Sequence, residues 1–140
     1  MSDCLFCEIV KKEIPADILY ENEACLAILD IMPANKGHIL ILSKNHYESL
    51  VDMPAEEFVV LMSAVYLIVK AMNRTIDLET FNLLQNNGKV AGQVIPHFHF
   101  HILPRKKEDS VSIKWDPVTY DSDEEKEQYL DLLKKGLNQN

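Results

Sequence analysis

Three histidines fall within five positions, at His97, His99 and His101, and alternate with Phe98, Phe100 and Ile102. A β-strand turns successive side chains to opposite faces, so this spacing predicts three imidazoles on one face and an apolar row on the other. Imidazole titrates near neutral pH, binds metal, shuttles protons and attacks electrophiles when neutral. A second set of reactive side chains is Cys4-Leu5-Phe6-Cys7. Such a pair serves as a redox couple, as half of a zinc site, or as two small buried residues. Redox pairs of this spacing follow a strand in a βαβ unit, and no such pattern precedes Cys4. Closed structural zinc takes four nitrogen or sulfur ligands, and His46 with one strand histidine could complete the set. Cys25 stands alone in an apolar stretch and reads as a buried residue.

These side chains need a scaffold. Leu5 to Lys12 reads as a short helix ending before Pro15. Ile18–Tyr20, Cys25–Ile31, His38–Leu42, Phe81–Gln85 and the histidine segment His97–Leu103 read as strands, the last stopped by Pro104. Met32 to Gly37 supplies a turn between the second and third, and Asn86-Asn87-Gly88 another. The clearest helix opens at Pro54, with Asp52 as a candidate cap and Phe58, Leu61, Met62, Val65, Ile68, Val69 and Met72 at helical spacing. Its other faces also carry Val59, Val60, Tyr66 and Leu67. A helix apolar on several sides is either a central core helix or part of a subunit interface. Ser122-Asp123-Glu124-Glu125 resembles a capping box before a last helix bearing Tyr129, Leu130, Leu133 and Leu137. The expected class is α+β: a largely antiparallel five-stranded sheet with one long helix and a C-terminal helix.

The chain of 140 residues suits a single domain, 1–140, with a sizeable core. A net charge of −8 argues against nucleic-acid binding, which needs a broad basic surface. No apolar run is long enough to span a membrane, and Met1 to Cys4 does not open a secretory leader, so the expected location is cytoplasmic. Three cysteines, an odd count, fit a reducing compartment and a metal site better than a disulfide framework. Arg105-Lys106-Lys107 and the acidic stretch from Glu124 to Asp131 read as solvated surface.

His97-Phe98-His99-Phe100-His101-Ile102-Leu103 resembles the signature of the histidine triad (HIT) family, His-x-His-x-His followed by two apolar residues. Three further blocks carry the resemblance across nearly the whole chain. They are Phe6 to Val10 with Lys12 to Ala16; Leu26 to Ile31 with Pro33, Gly37 to Leu42, Lys44 and His46; and Asn86 to Gly88 with Ala91 to Gln93. The match is to the Hint-like branch, and within it to bacterial-type members that carry Cys-x-x-Cys.

The resemblance implies a HIT-like fold and a hydrolase or transferase acting on the α-phosphate of nucleotide conjugates: nucleoside phosphoramidates, acyl-adenylates or dinucleoside polyphosphates. It makes His99 the nucleophile, which forms a covalent nucleotidyl-histidine. Asp30 matches a ribose-contacting carboxylate, and Phe6, Ile9, Ile28 and Ile31 match apolar positions that sandwich the base; the expected partner is a purine nucleotide or nucleotide conjugate, although no residue here reads a purine's edge and base choice stays open. It also implies a structural zinc held by Cys4, Cys7, His46 and His97, a supporting role for His38, and a homodimer joined along the Pro54 helix and the strand after it.

The chemistry also stands on its own. Attack by imidazole gives a labile phosphoramidate and splits one hard displacement into two easier ones. The opposite ring nitrogen must then donate to a fixed acceptor. His101, two residues on, can bind phosphate oxygens and protonate a leaving group. Asn86 and the amides around Gly92, Gln93 and Val94 can hold the non-bridging oxygens, with Gly92 allowing close backbone approach. Val94 departs from the family pattern, which places serine or threonine there. Two other readings compete: a nucleotide-binding or signalling module with weak catalysis, and a zinc hydrolase in which all three histidines bind the ion.

Overall fold

The computed structural model describes residues 3–138. Two compact units divide between Ser110 and Val111. The first holds helix α1 (Leu5–Val10), strands β1 (Ile18–Glu21), β2 (Cys25–Leu29) and β3 (Ile39–Ser43), helix α2 (Ala55–Ile76), and strands β4 (Phe81–Gln85) and β5 (His99–Pro104). Its five strands form one antiparallel sheet in the order β1-β2-β3-β5-β4. The second unit holds α3 (Asp123–Leu137).

Both faces of the sheet are covered, which is why β2 and β3 read as unbroken apolar runs. Cys25, Ala27, Ile39, Ile41, Phe98 and Ile102 join Leu61, Ala64, Val65, Ile68 and Met72 of α2 in the larger core, with Phe100 packed against it. Leu26, Ile28, Leu40 and Leu42 point the other way and pack with Phe6 and Ile9 of α1. Register carries this division to the histidines. Leu42 pairs with His99 and Leu40 with His101, whereas Ile41 pairs with Phe100 and Ile39 with Ile102. Phe98, Phe100 and Ile102 therefore serve the α2 core, as the alternation predicts, and His99 and His101 fall on the α1 side.

Four local features differ from the sequence reading. β5 starts at His99, and His97 lies in the turn before it, where its N–H donates to the Ile95 carbonyl. Pro54 is the residue before α2 rather than its first turn, and Asp52 ends a 3-10 turn (Leu50–Asp52) capped by the Ser49 hydroxyl. The helix buries one stripe only: Val59, Tyr66 and Leu67 are all more than half exposed. In the last helix the Ser122 hydroxyl accepts from the Glu125 N–H as a capping box requires, but the Glu125 carboxylate reaches back to the Asp121 N–H. α3 buries none of its residues. No helix among the described residues is long and apolar enough to cross a membrane.

Candidate active site and metal centre

β5 runs between β3 and β4, so His99 and His101 sit on an interior strand, one in from the β4 edge. His101 is flanked by Leu40 on one neighbour and Leu84 on the other. A cavity of about 560 Å³ opens above them. Phe6, Ile9, Ile28 and Ile31 line it together with Asp30, Asn86, Gly92, Val94, His38, His99 and His101. Phe6, Ile9 and Ile28 are also buried in the smaller core, so the choice between core and pocket resolves as both. No lysine or arginine lines the cavity among the described residues.

Each ring's proton follows from its partners. The Nδ1 of His99 lies 2.6 Å from the His97 carbonyl oxygen, which can only accept. Nδ1 therefore carries the proton, and Nε2 keeps its lone pair. Burial holds the His99 pKa below the ordinary histidine value, so the ring is neutral at pH 7. The Ala34 N–H donates to His38 Nδ1 at 3.1 Å, which leaves the His38 proton on Nε2. That proton points to His101 Nδ1 at 2.9 Å, so the neutral His101 ring carries its own on Nε2. Asp30 Oδ2 lies 3.6 Å from His38 Nδ1, and with no proton there the contact is not an ion pair. Burial, with the neighbouring His99 and His38, pushes the His101 pKa down to about 4. Burial also lowers that of His38, against the pull of Asp30.

The loop from Gly88 to Val94 is held from within. Gly92 has φ +95°, and a Cβ there would meet the Asn86 amide at 3.5 Å. That distance is ordinary van der Waals contact, and it is the positive φ that favours glycine here. Gln93 differs from the sequence reading. It is absent from the cavity wall; its side chain accepts from the Gly88 N–H and donates to the Glu48 carbonyl. The main-chain N–H groups of Gly92 and Gln93 bond back to the Lys89 and Gly88 carbonyls. Those two amides brace the loop, which leaves the Asn86 side chain and the main-chain N–H of Val94, both on the cavity wall, as the expected donors on this side. Val94 is 88% exposed at the cavity mouth.

Beside this cavity Cys4, Cys7, His46 and His97 bring their ligand atoms within 4.8 Å of one another. The His97 Nε2 donates to the Ser43 carbonyl at 2.7 Å, so the lone pair on Nδ1 faces the cluster. From Nδ1 of His97 the separations are 3.3 Å to Cys4 Sγ, 3.5 Å to Cys7 Sγ and 3.2 Å to His46 Nδ1. Cys7 Sγ lies 3.3 Å from His46 Nδ1. A tetrahedral zinc with bonds of about 2.05 Å to nitrogen and about 2.3 Å to sulfur sets ligands about 3.3 to 3.8 Å apart, close to the four separations of 3.2 to 3.5 Å and short of the cluster's full 4.8 Å spread. His97 turns away from His99 towards the cysteines, an arrangement that disfavours one ion shared by all three triad histidines.

Leu5, Ile14, Ala16, Leu40, Leu84 and Leu103 also line the cavity. Nothing in their residue types marks them; register and the fold-back of α1 put them there.

A family model of the HIT domain matches residues 11–108. The chain belongs to the HIT family. Among HIT relatives, an adenosine 5'-monophosphoramidase of Saccharomyces cerevisiae is 40% identical over 133 residues, 94% of this chain and 82% of that protein. The crystal structure of a HIT family protein from Bacillus subtilis superposes with a TM-score of 0.89 at 33% identity, covering 96% of each chain. A zinc-bound histidine triad protein from Mycobacterium smegmatis superposes with a TM-score of 0.72 at 36% identity, covering 83% of this chain and 84% of that one. The HIT model begins after Cys4 and Cys7, so in this HIT protein the two cysteines of the candidate metal site lie N-terminal to the matched region.

Proposed function

We propose that this HIT-family hydrolase cleaves nucleoside 5'-phosphoramidates and related α-phosphate conjugates through a covalent intermediate on His99. The observation that carries this reading is the 2.6 Å contact from His99 Nδ1 to the His97 carbonyl, which commits the other nitrogen to attack. In the first step Nε2 of His99 bonds to the α-phosphorus and the phosphorus–nitrogen bond of the substrate breaks. The departing amine takes a proton from Nε2 of His101. In the second step water bonds to phosphorus, the bond to His99 breaks, and the water's proton returns to His101. The products are the nucleoside monophosphate and the free amine.

His101 must enter this cycle protonated, although burial keeps it neutral until substrate binds. The substrate's phosphate supplies an opposite charge that raises its pKa. Uptake of a proton switches His38: Nε2 then accepts from His101 Nδ1, and its Nδ1–H turns from the Ala34 amide to Asp30 Oδ2, 3.6 Å away. Asp30 faces the sugar hydroxyls, while Phe6, Ile9, Ile28 and Ile31 enclose a purine. Zinc, when bound by Cys4, Cys7, His46 and His97, is structural, because four protein ligands leave no position for water.

The active form in this reading is a cytoplasmic homodimer. Val59, Tyr66 and Leu67 present an exposed apolar face on α2, and β4 is an edge strand with one side unpaired. Residues 1–140 count as one HIT domain, since α3 has no core of its own.

Native mass spectrometry tests these claims together. The expected species is two chains with one zinc each. After brief exposure to an adenosine phosphoramidate and a mildly basic quench, peptide mapping should place an adenylyl group on His99. Turnover without that adduct in a rapid quench would sink the covalent route; a metal-free monomer would sink the zinc and dimer assignments.

A further inference from the structure

α1 is six residues long and has no side-chain cap at Cys4. A helix of this length does not persist in water unless something outside it holds it. Two sets of contacts do so here, and they lead to different sites. Cys4 and Cys7, three residues apart and so on one side of the turn, face His46 and His97. Phe6 and Ile9, also three apart, are buried in the smaller core and form the cavity wall. Phe6 does more than line the wall. Its ring meets the His99 ring edge-on, with centroids 5.0 Å apart and planes at 81°, and meets His97 at 5.9 Å and 85°.

His99 is thus gripped from two directions by the tetrad's own elements. One grip is Phe6, set between the two cysteines. The other is the carbonyl of His97, whose side chain faces the cysteines while its main chain accepts from His99 Nδ1. Phe6 is tied to Cys4 and Cys7 through α1, and His97, which the Ser43 carbonyl holds at Nε2, meets both cysteines at Nδ1. We propose that Phe6 is a positioning residue for the nucleophile, and that metal binding at the tetrad fixes the His99 ring through Phe6 and the His97 carbonyl. This rests on His99 acting as the nucleophile. It adds that the structural metal governs catalytic competence and nucleotide affinity as well as stability.

The test compares the zinc-loaded full-length chain, the same chain after chelation, and Phe6→Leu and Phe6→Tyr with zinc bound. Three quantities are read: AMP affinity by calorimetry, kcat against KM with an adenosine phosphoramidate, and the His99 ring nitrogens by long-range nitrogen–proton NMR. Chelation is expected to weaken AMP binding at least about 10-fold and to replace the single Nδ1–H form of His99 with a mixture of tautomers. Phe6→Leu keeps apolar volume but loses the ring edge. It should hold zinc and keep KM within about 3-fold while kcat falls about 5- to 10-fold. Phe6→Tyr, which keeps the edge, should recover kcat. If chelation unfolds the chain, the Phe6 pair decides. Unchanged kcat and an unchanged His99 signal in Phe6→Leu overturn the proposal, as does a chelated, folded chain with wild-type AMP affinity and a single His99 tautomer. A loaded wild-type chain that neither binds AMP nor turns over substrate would overturn the nucleotide reading instead, and the His99 signal would then decide this one.

Discussion

Replacing His99 with alanine is expected to lower kcat/KM for an adenosine phosphoramidate by at least about 10,000-fold, because no other group in the cavity can take its place. His101 cannot substitute: its Nδ1 accepts from His38 and its Nε2 carries the proton, so it presents a donor. His97 cannot substitute either, since its Nδ1 is directed at Cys4, Cys7 and His46. The fold should survive, because the core on the α2 side does not include position 99. His99→Gln, which stays closer in volume, should be as inactive as the alanine variant. His101→Gln loses the proton transfer and the charged contact to the phosphate but keeps the nucleophile, and should cost about 100-fold to 10,000-fold. Initial rates with a fluorogenic phosphoramidate, beside calorimetric AMP titrations, separate these effects. A His99→Ala variant within tenfold of wild type would leave a binding module with incidental hydrolysis as the better account.

The sequence carries the chemistry of this site more plainly than its geometry. Alternation at Phe98, Phe100 and Ile102 correctly places three side chains against α2, because strand periodicity is a local property of the backbone. The same alternation puts the imidazoles on the α1 side, where Phe6 meets both the His97 and the His99 rings, but it does not by itself distinguish their roles. His97 lies in a turn, and its orientation is set by a hydrogen bond to Ser43, 54 residues away. Gln93 shows the same limit. Its main-chain amide is a candidate for phosphate contact, yet that N–H bonds to the Gly88 carbonyl while the side chain braces Gly88 against Glu48. The proton positions on His38 and His101 depend on the Ala34 amide, which side-chain identity does not reveal. α1 is legible as a short helix, but the fold-back that brings Cys4 to His97 is a tertiary event. Only the residue types of the tetrad announce it, through the need for four ligands.

Acidification should destabilise the ligand-free protein between pH 6.5 and about 4, and the His101 ring is the largest resolved reason. Burial, then His99 and His38, hold its folded pKa at about 4 against an ordinary 6.5, with Asp30 pulling weakly the other way. Within that window the unfolded chain binds a proton that the folded chain refuses. Stability therefore rises with pH across the window, is complete above 6.5, and gains no further penalty from this group below about 4. The shift is worth roughly 3 kcal/mol, a large fraction of the 5–15 kcal/mol typical of a domain. His38, also depressed chiefly by burial, adds in the same direction. Urea unfolding at pH 7.5 and pH 4.5 should show the loss. His101→Asn should remove most of the His101 share, which separates it from metal release as the cysteine ligands protonate. AMP should oppose the effect, because its phosphate favours the charged ring and binding then takes up a proton. AMP affinity should accordingly rise as pH falls from 7.5 towards 6 in the wild type and be nearly flat in His101→Asn. An AMP affinity independent of pH in the wild type would show that His101 does not become charged beside the phosphate, and would take the general-acid role away from it.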